Sequence, residues 1–425
     1  MTVYFVHKLK KKIFHSMTIL FLVMILPTYA KADVAFTTAS GGLGVISKSG
    51  DGFEVSERTD GLGSETRIFG YNDGKRILVV EKRDTGDDRA RIYDPANLSA
   101  PLVDTSWEKV SGIHDAIYLR GYLYLICHDT SNVVKINTND HTKKEIEWIY
   151  PQRGLVPSLP AGYAARGVGI TRFGDEIYAL FGIHNEQGEY RDSILVNLAD
   201  DIVTFRTLSH SILAPNASDL FVLGDRIYVT AFGGPEGVSA DVTKSRLQRV
   251  DPESMAVTDI FAAGEVDPDG GLLAGLCFDD ANRALVATRK TEGPDAGTRF
   301  WLLDGTRAST AKRVMTSAGT ESTLQYDPVM RLLWVAAFAD GGKGEIAAFE
   351  NGVKKAAWDA TALGGEPRRI APVRDVSENS GDGDGDGSGN GTNGSSGGGG
   401  CTSGAWAWLF IAALFLKIKK TRTVL

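Results

Sequence analysis

Two stretches decide the fold: ITRFGDEIYALFG at residues 170–182 and LFVLGDRIYVTAF at residues 220–232. Each joins two strand-like apolar runs through a Gly-Asp turn, which is the sequence pattern of a β-hairpin. The turn glycines, Gly174 and Gly224, are 50 residues apart. Recurrence of one hairpin at such a distance indicates a repeat architecture.

The same hairpin occurs six times in the middle of the chain. The other copies are RIFGYNDGKRILVVEKR (67–83), IYLRGYLYLIC (117–127), LCFDDANRALVATR (276–289) and LQYDPVMRLLWVAAF (324–338). Their turn residues, from Gly74 to Pro328, follow one another at separations of 47, 53, 50, 58 and 46 residues. A second hairpin follows each first one, as in SILVNLADDIVTFRTL (193–208) and EIAAFENGVKKAAW (345–358). Four strands per repeat of this length are typical of a β-propeller, an all-β fold.

Two segments remain outside the six repeats. Residues 34–58 contain three strand-like runs, which match the second, third and fourth strands of a repeat. Residues 366–375, EPRRIAPVRD, match an isolated first strand. Together they predict a seventh blade that is closed from both ends of the chain, so that no sheet edge is left open. The sequence therefore predicts a seven-bladed β-propeller over residues 33–376.

The N-terminal segment resembles a secretory signal peptide. A basic stretch, MTVYFVHKLKKK, precedes the apolar run IFHSMTILFLVMILP, and Ala30-Lys31-Ala32 has the small-x-small pattern of a cleavage site. We expect signal peptidase to remove residues 1–32, and the alternative is an uncleaved N-terminal anchor. Export to the cell envelope or cell surface is the predicted localisation.

The charge of the exported part argues against nucleic acid as a partner. Residues 1–32 hold five basic side chains and residues 401–425 hold four, with no acids in either segment. Residues 33–400 therefore carry 37 basic and 53 acidic side chains, a formal charge of −16. Such a balance opposes binding to phosphate backbones and to anionic lipid headgroups.

Three cysteines give little sign of disulfide chemistry. Cys127 and Cys277 both lie in apolar, strand-like runs, where a cysteine behaves as a small hydrophobic residue. We expect two buried thiols, and a disulfide between them is the alternative. Cys401 stands apart, directly after four glycines.

The C-terminal segment has three parts. Residues 377–400 are rich in Gly, Asp and Ser, which predicts a flexible linker. The opening Asp spacing from Asp382 fits a calcium loop, but the twelfth position is Asn393 rather than Glu and no helices flank it. An apolar run at residues 405–416 then predicts a short hydrophobic helix, and it is followed by a basic end that the positive-inside rule keeps in the cytoplasm.

This tail resembles the Synerg-CTERM family of bacterial C-terminal sorting domains. The resemblance rests on a glycine run that ends in Gly400-Cys401, on the apolar run and on the basic residues Lys417 to Arg422, so it covers only residues 401–425 and the glycines before them. It implies cleavage by a membrane-bound sorting protease near the Gly-Cys junction and attachment to the envelope, where Cys401 could carry a lipid. A retained membrane helix is the alternative.

Candidate ligand-binding residues lie in the loops that should share one face of the propeller. His114 precedes a first strand, whereas His128 and His184 follow second strands, so all three are expected on that face together with Asp115, Asp129 and Glu186. The long segment PQRGLVPSLPAGYAAR (151–166) adds Arg153, Tyr163 and Arg166. His210 is expected in the next interblade segment. Neutral imidazoles beside carboxylates suit zinc-like metals, but no fixed ligand spacing supports a metal site, and no cofactor is indicated.

The sequence contains no motif that names an enzyme. It lacks a G-x-S-x-G elbow, an H-E-x-x-H pair, a phosphate-binding glycine loop and a Cys-x-x-Cys pair. We therefore expect an exported, tethered, non-catalytic binding module for a protein, peptide or glycan. The alternatives are an extracytoplasmic hydrolase, lactonase or lyase, and a structural surface-layer component. Histidines and carboxylates that converge at the channel mouth would favour the enzyme.

Overall fold

The computed structural model contains one closed ring of seven four-stranded antiparallel sheets. It describes residues 32–374, except 50–51, 64, 72–73, 84–85, 142–143, 150–157, 199–208, 236–240, 320 and 339–343. Each sheet is one blade. The predicted seven-bladed β-propeller is confirmed, whereas the linker and the C-terminal helix predicted after residue 376 lie outside the described residues.

Six blades follow the chain in order, each with its first strand on the inside. Blade 1 comprises β4 (Thr66–Tyr71), β5 (Arg76–Glu81), β6 (Arg89–Tyr93) and β7 (Val103–Ser106). Blade 2 comprises β8 (Ile113–Leu119), β9 (Tyr122–Cys127), β10 (Asn132–Asn137) and β11 (Lys144–Ile149). Blade 3 comprises β12 (Tyr163–Phe173), β13 (Glu176–Asn185), β14 (Tyr190–Leu198) and β15 (His210–Pro215).

The remaining three of these blades have the same arrangement. Blade 4 comprises β16 (Ala217–Leu223), β17 (Arg226–Ala231), β18 (Arg246–Val250) and β19 (Val257–Ala262). Blade 5 comprises β20 (Leu272–Phe278), β21 (Arg283–Lys290), β22 (Gly297–Asp304) and β23 (Lys312–Ser317). Blade 6 comprises β24 (Glu321–Asp327), β25 (Leu332–Phe338), β26 (Glu345–Glu350) and β27 (Val353–Asp359). Within the described ranges, helical structure is limited to α1 (Ala263–Val266), α2 (Ala360–Leu363) and a 3₁₀ turn (Ala308–Thr310).

The closing blade joins the two ends of the ring. It contains β28 (Pro367–Arg374) followed by β1 (Ala32–Thr38), β2 (Leu43–Ser49) and β3 (Gly52–Thr59). β28 pairs antiparallel with β1, with Ala35 opposite Ala371. The two orphan segments of the sequence therefore form one blade, as their patterns predict.

The blades pack through apolar seams between neighbouring sheets. Second strands are the most continuously apolar, and every residue of β25, LLWVAAF, is buried, because both faces of such a strand contact another blade. The seam between blade 6 and the closing blade contains Phe36, Trp334 and Trp358. The Phe53 ring meets both tryptophan rings edge-on, with centroids 5.8 Å away.

Turn chemistry explains why the repeat is visible in the sequence. Gly174 and Gly224, the turn glycines of the two stretches quoted first, both have φ of 59°. This left-handed region is accessible to glycine without the clash that a Cβ atom causes. In blade 6 the residue with positive φ is Arg331 rather than Pro328, so the proline only opens that turn.

The outer strand of blade 3 differs from the prediction. The pattern 193–208 placed this strand before residue 209, but β15 runs from His210 to Pro215 and residues 199–208 lie outside the described residues. His210 was predicted in an interblade segment, and that was wrong because it opens an outer strand. The run SILAP continues the alternation that pairs with β14, and its exposed Ile212 obscured the pattern.

Candidate functional site at the channel mouth

The seven first strands surround a central channel. Each contacts the first strand of the next blade, from β4 around the ring to β28. In blades 2 to 5 the pairing of first and second strands shifts by one residue near the start of the first strand. The residue skipped at each bulge lines the channel; these residues are His114, Val168, Ser218 and Ala274. A bulge changes the direction of a side chain, and here it turns one side chain towards the channel in each of four consecutive blades.

Two aspartates beside the bulges join neighbouring blades. Asp115 accepts a hydrogen bond from the Ala116 N–H in its own strand and one from the Ile170 N–H in β12, both within 2.9 Å. Asp219 repeats the arrangement two blades later, with the N–H groups of Leu220 and Leu276 at 2.8 and 3.2 Å. We call Asp115 and Asp219 the bridging aspartates. They satisfy backbone donors that the bulges leave without a ladder partner.

The channel widens at one face into a cavity of about 540 Å³. The cavity is lined by the starts of first strands and the ends of second strands, including Arg67, His114, His128, Asp129 and Arg369. A narrower space of about 140 Å³ continues down the channel. Arg67, His114 and Arg369 line both spaces, so these three side chains form the floor of the mouth cavity.

Three histidines form a row that starts at this floor. The ring centroids of His114 and His128 are 6.0 Å apart, and those of His128 and His184 are 6.3 Å apart. His128 Nδ1 lies 3.0 Å from Asp129 Oδ1. Arg166 donates to the backbone carbonyl of Asp129 at 2.9 Å. The row thus begins in the channel, crosses the loop after β9 and ends on blade 3.

Three arginines also line the mouth. Arg67 donates to the His114 carbonyl at 3.0 Å, and Arg369 donates to Thr323 Oγ1 at 3.2 Å. The guanidinium groups of Arg368 and Arg369 lie over the Phe338 ring, 5.1 and 5.5 Å from its centroid. Such cation–π contacts fix guanidinium groups in place while leaving their N–H edges available.

Burial controls the charges of the arginines and histidines. Burial, together with the charge of Arg369, lowers the pKa of Arg67 to about 9. Burial also lowers the pKa of Arg369, and Arg289 and Arg368 add to this effect against the opposing charge of Glu321. The pKa of His114 falls well below 6.5 through burial and the charges of Arg67 and Arg369. At neutral pH the mouth therefore has charged arginines beside a neutral imidazole.

The acids around the mouth differ from one another in the direction of their pKa shifts. Burial raises the pKa of Asp88, whose carboxylate accepts from the Ile113 N–H at 2.8 Å. Burial also acts to raise the pKa of Asp129, but the hydrogen bond from His128 and the charges of Lys82 and Arg166 outweigh it, so this pKa is lowered. Glu321 lies 3.7 Å from Arg369 and is half exposed. Carboxylates therefore also line the mouth, and Glu321 and Asp88 offset part of the charge of Arg67.

The structure brings together only some of the predicted residues. His114, His128 and Asp129 line the mouth cavity, and His184 adjoins His128. Tyr163 and Glu186 lie farther out on blade 3, where the Tyr163 hydroxyl donates to Glu189 at 2.8 Å and Glu186 is exposed. Arg153 lies outside the described residues, as do Ala30, Gly400 and Cys401 of the predicted processing sites. Ala32 begins β1.

Sequence reasoning missed the arginines of the mouth. Arg67 follows SET at the start of β4, and Arg368 and Arg369 lie in EPRRIAP at the start of β28. These arginines lie at the starts of their first strands, which is the position that His114 has in β8. The signal was therefore present: a charged residue near the start of a first strand that is otherwise apolar.

The described part of the chain contains no metal-binding cluster, no disulfide and no membrane-spanning helix. Among these residues no three His, Cys, Asp or Glu side chains converge in a way that would hold a metal ion. Cys127 and Cys277 are buried thiols that form no disulfide, as predicted. No helix between residues 32 and 374 is both long enough and apolar enough to cross a bilayer.

Comparison with known proteins places the chain by fold alone. No protein-family model matches the sequence, and no curated protein matches it. Among solved structures, a candidate 6-phosphogluconolactonase from Bacteroides fragilis matches with a TM-score of 0.53 and 12% identity, over 82% of this chain and 99% of its own. Another from Bacteroides uniformis matches with a TM-score of 0.56 and 10% identity, over 81% and 100%. A protein from Lactobacillus plantarum matches with a TM-score of 0.56 and 11% identity, over 81% and 99%.

Proposed function

We propose that this protein is an exported β-propeller whose channel mouth binds the anionic group of an extracytoplasmic ligand. The observation that carries the proposal is the pair Arg67 and Arg369 in the floor of the mouth cavity. Among the described residues, Arg67 donates one hydrogen bond to a backbone carbonyl and Arg369 donates one to a hydroxyl. A guanidinium group has five N–H donors in a fork that fits carboxylate and phosphate.

The charges of this pair favour an anion. Burial is the main cause of the lowered pKa of Arg67, and the charge of Arg369 lowers this pKa further, so the two guanidinium groups repel each other in a buried place. Glu321 offsets part of the charge of Arg369 from 3.7 Å. An anion between the two guanidinium groups would relieve the repulsion and fill their unused donors. The predicted protein, peptide or glycan partner is thereby narrowed to one with an accessible acidic group.

Isothermal titration calorimetry with D-gluconate, sulfate and inorganic phosphate tests this proposal. We expect Arg369→Met and Arg67→Met each to weaken binding by roughly 10- to 100-fold, the range for a charge-assisted hydrogen bond. Arg120→Met is the matched control, because Arg120 is an exposed arginine at the far end of β8. Equal affinities in wild type, Arg369→Met and Arg67→Met would refute the proposal.

A second candidate function is hydrolysis of an anionic lactone. Histidines and carboxylates that converge at the channel mouth are the arrangement expected of an enzyme. His128 and Asp129 are hydrogen-bonded to each other there, and further carboxylates line the mouth. Asp129 would orient His128 with Nδ1 protonated, which leaves Nε2 to accept a proton from water. Water would add to the lactone carbonyl and the ring C–O bond would break, giving a hydroxy acid. The structural neighbours named as candidate 6-phosphogluconolactonases support this reaction class by fold analogy only.

The second candidate is separated from simple binding by a rate measurement. Lactones open spontaneously, so acid release from 6-phosphogluconolactone and from glucono-1,5-lactone is followed with and without protein. Hydrolysis predicts a rate above the spontaneous one that falls by at least 100-fold in His128→Gln, since general base catalysis contributes about that much. His210→Gln, on an outer strand, is the control. A rate equal to the spontaneous one leaves binding as the function.

The proposal includes attachment of the propeller to the cell envelope. The support is the signal-peptide pattern of residues 1–32 and the Synerg-CTERM resemblance of residues 401–425. Mass spectrometry of the C-terminal peptide, from protein isolated from envelopes, provides the test. We expect a peptide that ends near Cys401 and carries added lipid mass. An intact peptide through Leu425 would show a retained tail and reject processing.

A further inference from the structure

His114 has a position that anion binding alone does not explain. It is the extra residue of the bulge at the start of β8, and it lines both the mouth cavity and the channel below. One side of the imidazole interacts with the Val168 backbone of blade 3. Nδ1 is buried and has no hydrogen-bond partner within the described structure. The His114 side chain lines the same cavity as Arg67 and Arg369, so an anion held by the two arginines would lie beside the imidazole.

We propose that His114 takes up one proton when the mouth binds its anion, and that the protonated imidazole then donates a hydrogen bond to the anion. This inference rests on the proposed function. It identifies His114 as a third ligand-binding group beside Arg67 and Arg369. It also makes the ligand an oxyanion that accepts a hydrogen bond, such as a carboxylate or a phosphate group.

The charges around His114 explain why the proton arrives with the ligand. Arg67 on β4 and Arg369 on β28 disfavour the imidazolium in the empty site, and His128 adds to their effect. An anion bound between the arginines would cancel this repulsion. Linkage then requires that binding raise the affinity of His114 for a proton, and that protonation raise its affinity for the anion.

The acids that face this region do not protonate His114 in the empty site. The acids that line these spaces are Asp115 and Asp219 in the channel and Glu65, Asp88, Asp129 and Glu321 at the mouth. Asp115 bonds to two backbone N–H groups, Asp88 to the Ile113 N–H, and Asp129 to His128. Lys82, which lies 3.6 Å from Asp129 Oδ2, offsets that carboxylate further. The anionic charge that stabilises a proton on His114 must therefore come from the ligand.

Proton uptake is measured by calorimetry of the full chain in buffers that differ in ionisation enthalpy. Sulfate and D-gluconate are the probes, because neither takes up a proton between pH 5.5 and 7.5, the range of the experiment. We expect uptake of up to one proton per bound anion, and an affinity that rises up to 10-fold per unit of decreasing pH. In His114→Gln both effects should disappear, while His210→Gln should retain them.

Each result bears on a defined part of the inference. If sulfate and D-gluconate bind through Arg369 without proton uptake, the role of His114 is refuted and the anion site remains. If uptake persists in His114→Gln and disappears in His128→Gln, the proton belongs to His128 and the inference is wrong. If neither probe binds, the proposed function fails as well.

Nuclear magnetic resonance covers the case in which His114→Gln does not fold. The wild-type chain has seven histidines, and their ¹³Cε1 resonances report the protonation of each ring. We expect the His114 resonance to move to its imidazolium position as sulfate is added at pH 6. A His114 resonance that stays at its neutral position in the sulfate-saturated protein would overturn the inference.

Discussion

At the scale of single residues, the bridging aspartates show how the inner ring is held together. Asp115 and Asp219 each connect their own first strand to that of the next blade through two backbone N–H groups. Serine performs a related task in blade 4, where Ser218 Oγ donates to the Leu273 carbonyl at 2.9 Å. Polar groups thus join the blades in the channel, where apolar packing is interrupted by the bulges.

The bridging aspartates predict a dependence of stability on pH. Burial raises the pKa of Asp115 from 3.8 to about 7 and that of Asp219 to about 6. A carboxyl with a raised folded-state pKa binds more protons folded than unfolded, so the free energy of unfolding falls as pH rises from about 4 to about 7. For Asp115 the fall amounts to at most about 4 kcal/mol, from about 1.4 kcal/mol per pKa unit.

Substitution of Asp115 by Asn tests this dependence. Asp115→Asn removes the titration, so the loss of stability between pH 4.5 and pH 8 should be smaller than in wild type, as measured by urea unfolding. Asn offers one acceptor oxygen where Asp offers two, so the variant should also be less stable at pH 4.5. Asp225→Asn, at an exposed turn, should keep the wild-type slope. Parallel pH profiles for Asp115→Asn and wild type would show that Asp115 does not titrate in this range.

Residue type and spacing predicted part of the mouth. His114, His128 and Asp129 could be placed because turns and strands assign each loop to a face. The arginines could not, since Arg67 and Arg369 belong to strands far apart in the chain, at its first and last blades. Their proximity depends on closure of the ring, and no local pattern specifies how two such residues are spaced.

At the scale of strands and loops, buried polar contacts fix the approach to blade 5. Asp267, in the loop after α1, is fully buried; it lies 3.5 Å from Arg299 of β22 and accepts from Thr288 Oγ1 at 2.5 Å. Thr288 Oγ1 in turn accepts from the Trp301 indole N–H at 2.9 Å. The network joins the interblade loop to the second and third strands of the blade.

Removal of one partner of this ion pair should be strongly destabilising. Asp267→Ala removes the buried carboxylate beside Arg299 and leaves only the half-exposed Asp269, 3.7 Å away, so we expect a loss near the lower end of about 3–5 kcal/mol in the free energy of unfolding. The double variant Asp267→Ala/Arg299→Met should lose less than the sum of the two single variants. Asp241→Ala, at an exposed loop, is the control. Additive losses in denaturant unfolding would show that the pair is not coupled.

Glycines on the first strands let neighbouring blades approach. A Cβ atom added at Gly70 of β4 would lie 2.4 Å from the Pro372 carbonyl oxygen of β28, which is a backbone atom and cannot rotate away. At Gly182 the nearest atom, Val168 Cγ2, is 3.4 Å away. We expect Gly70→Ala to lower the free energy of unfolding by roughly 1–3 kcal/mol. Gly182→Ala should change it by less, and equal effects in thermal unfolding would contradict the close approach.

Strand patterns predicted most elements, and the exception has a physical cause. Second strands are buried on both faces, so their apolar runs are continuous and easily recognised. Outer strands contact solvent on one side, and β15 has an exposed Ile212. The strand pattern of β15 is therefore less distinct than that of the preceding segment, where the prediction placed the outer strand.

At the scale of the whole molecule, residues 33–400 are acidic, but the floor of the channel mouth contains two arginines. The composition gives a formal charge of −16 for residues 33–400, which predicts weak binding of polyanions over the surface. It does not describe the mouth, where four basic side chains, Arg67, Lys82, Arg368 and Arg369, line one cavity. Net charge averages over the surface, whereas a binding site depends on a few nearby groups.

Integrity of the ring is predicted to depend on the last strand. A chain that ends after residue 366 lacks β28, which exposes the edge of β1 and part of the apolar seams on both sides of the closing blade. We expect it to show no cooperative thermal transition, whereas a chain that ends after residue 376 should retain one. Similar melting of the two chains would show that closure is dispensable.

The closing blade also sets the time at which the protein can fold. Its innermost strand, β28, is the last of the ring to be synthesised, and it must pair with β1, which is the first. The sequence separation between paired residues of β1 and β28 is 329 to 342 residues, and contacts over such separations form slowly. The earlier blades can assemble as the chain emerges, but the arginine floor of the mouth is complete only after Arg369 has arrived. Ligand binding would thus report that the ring has closed.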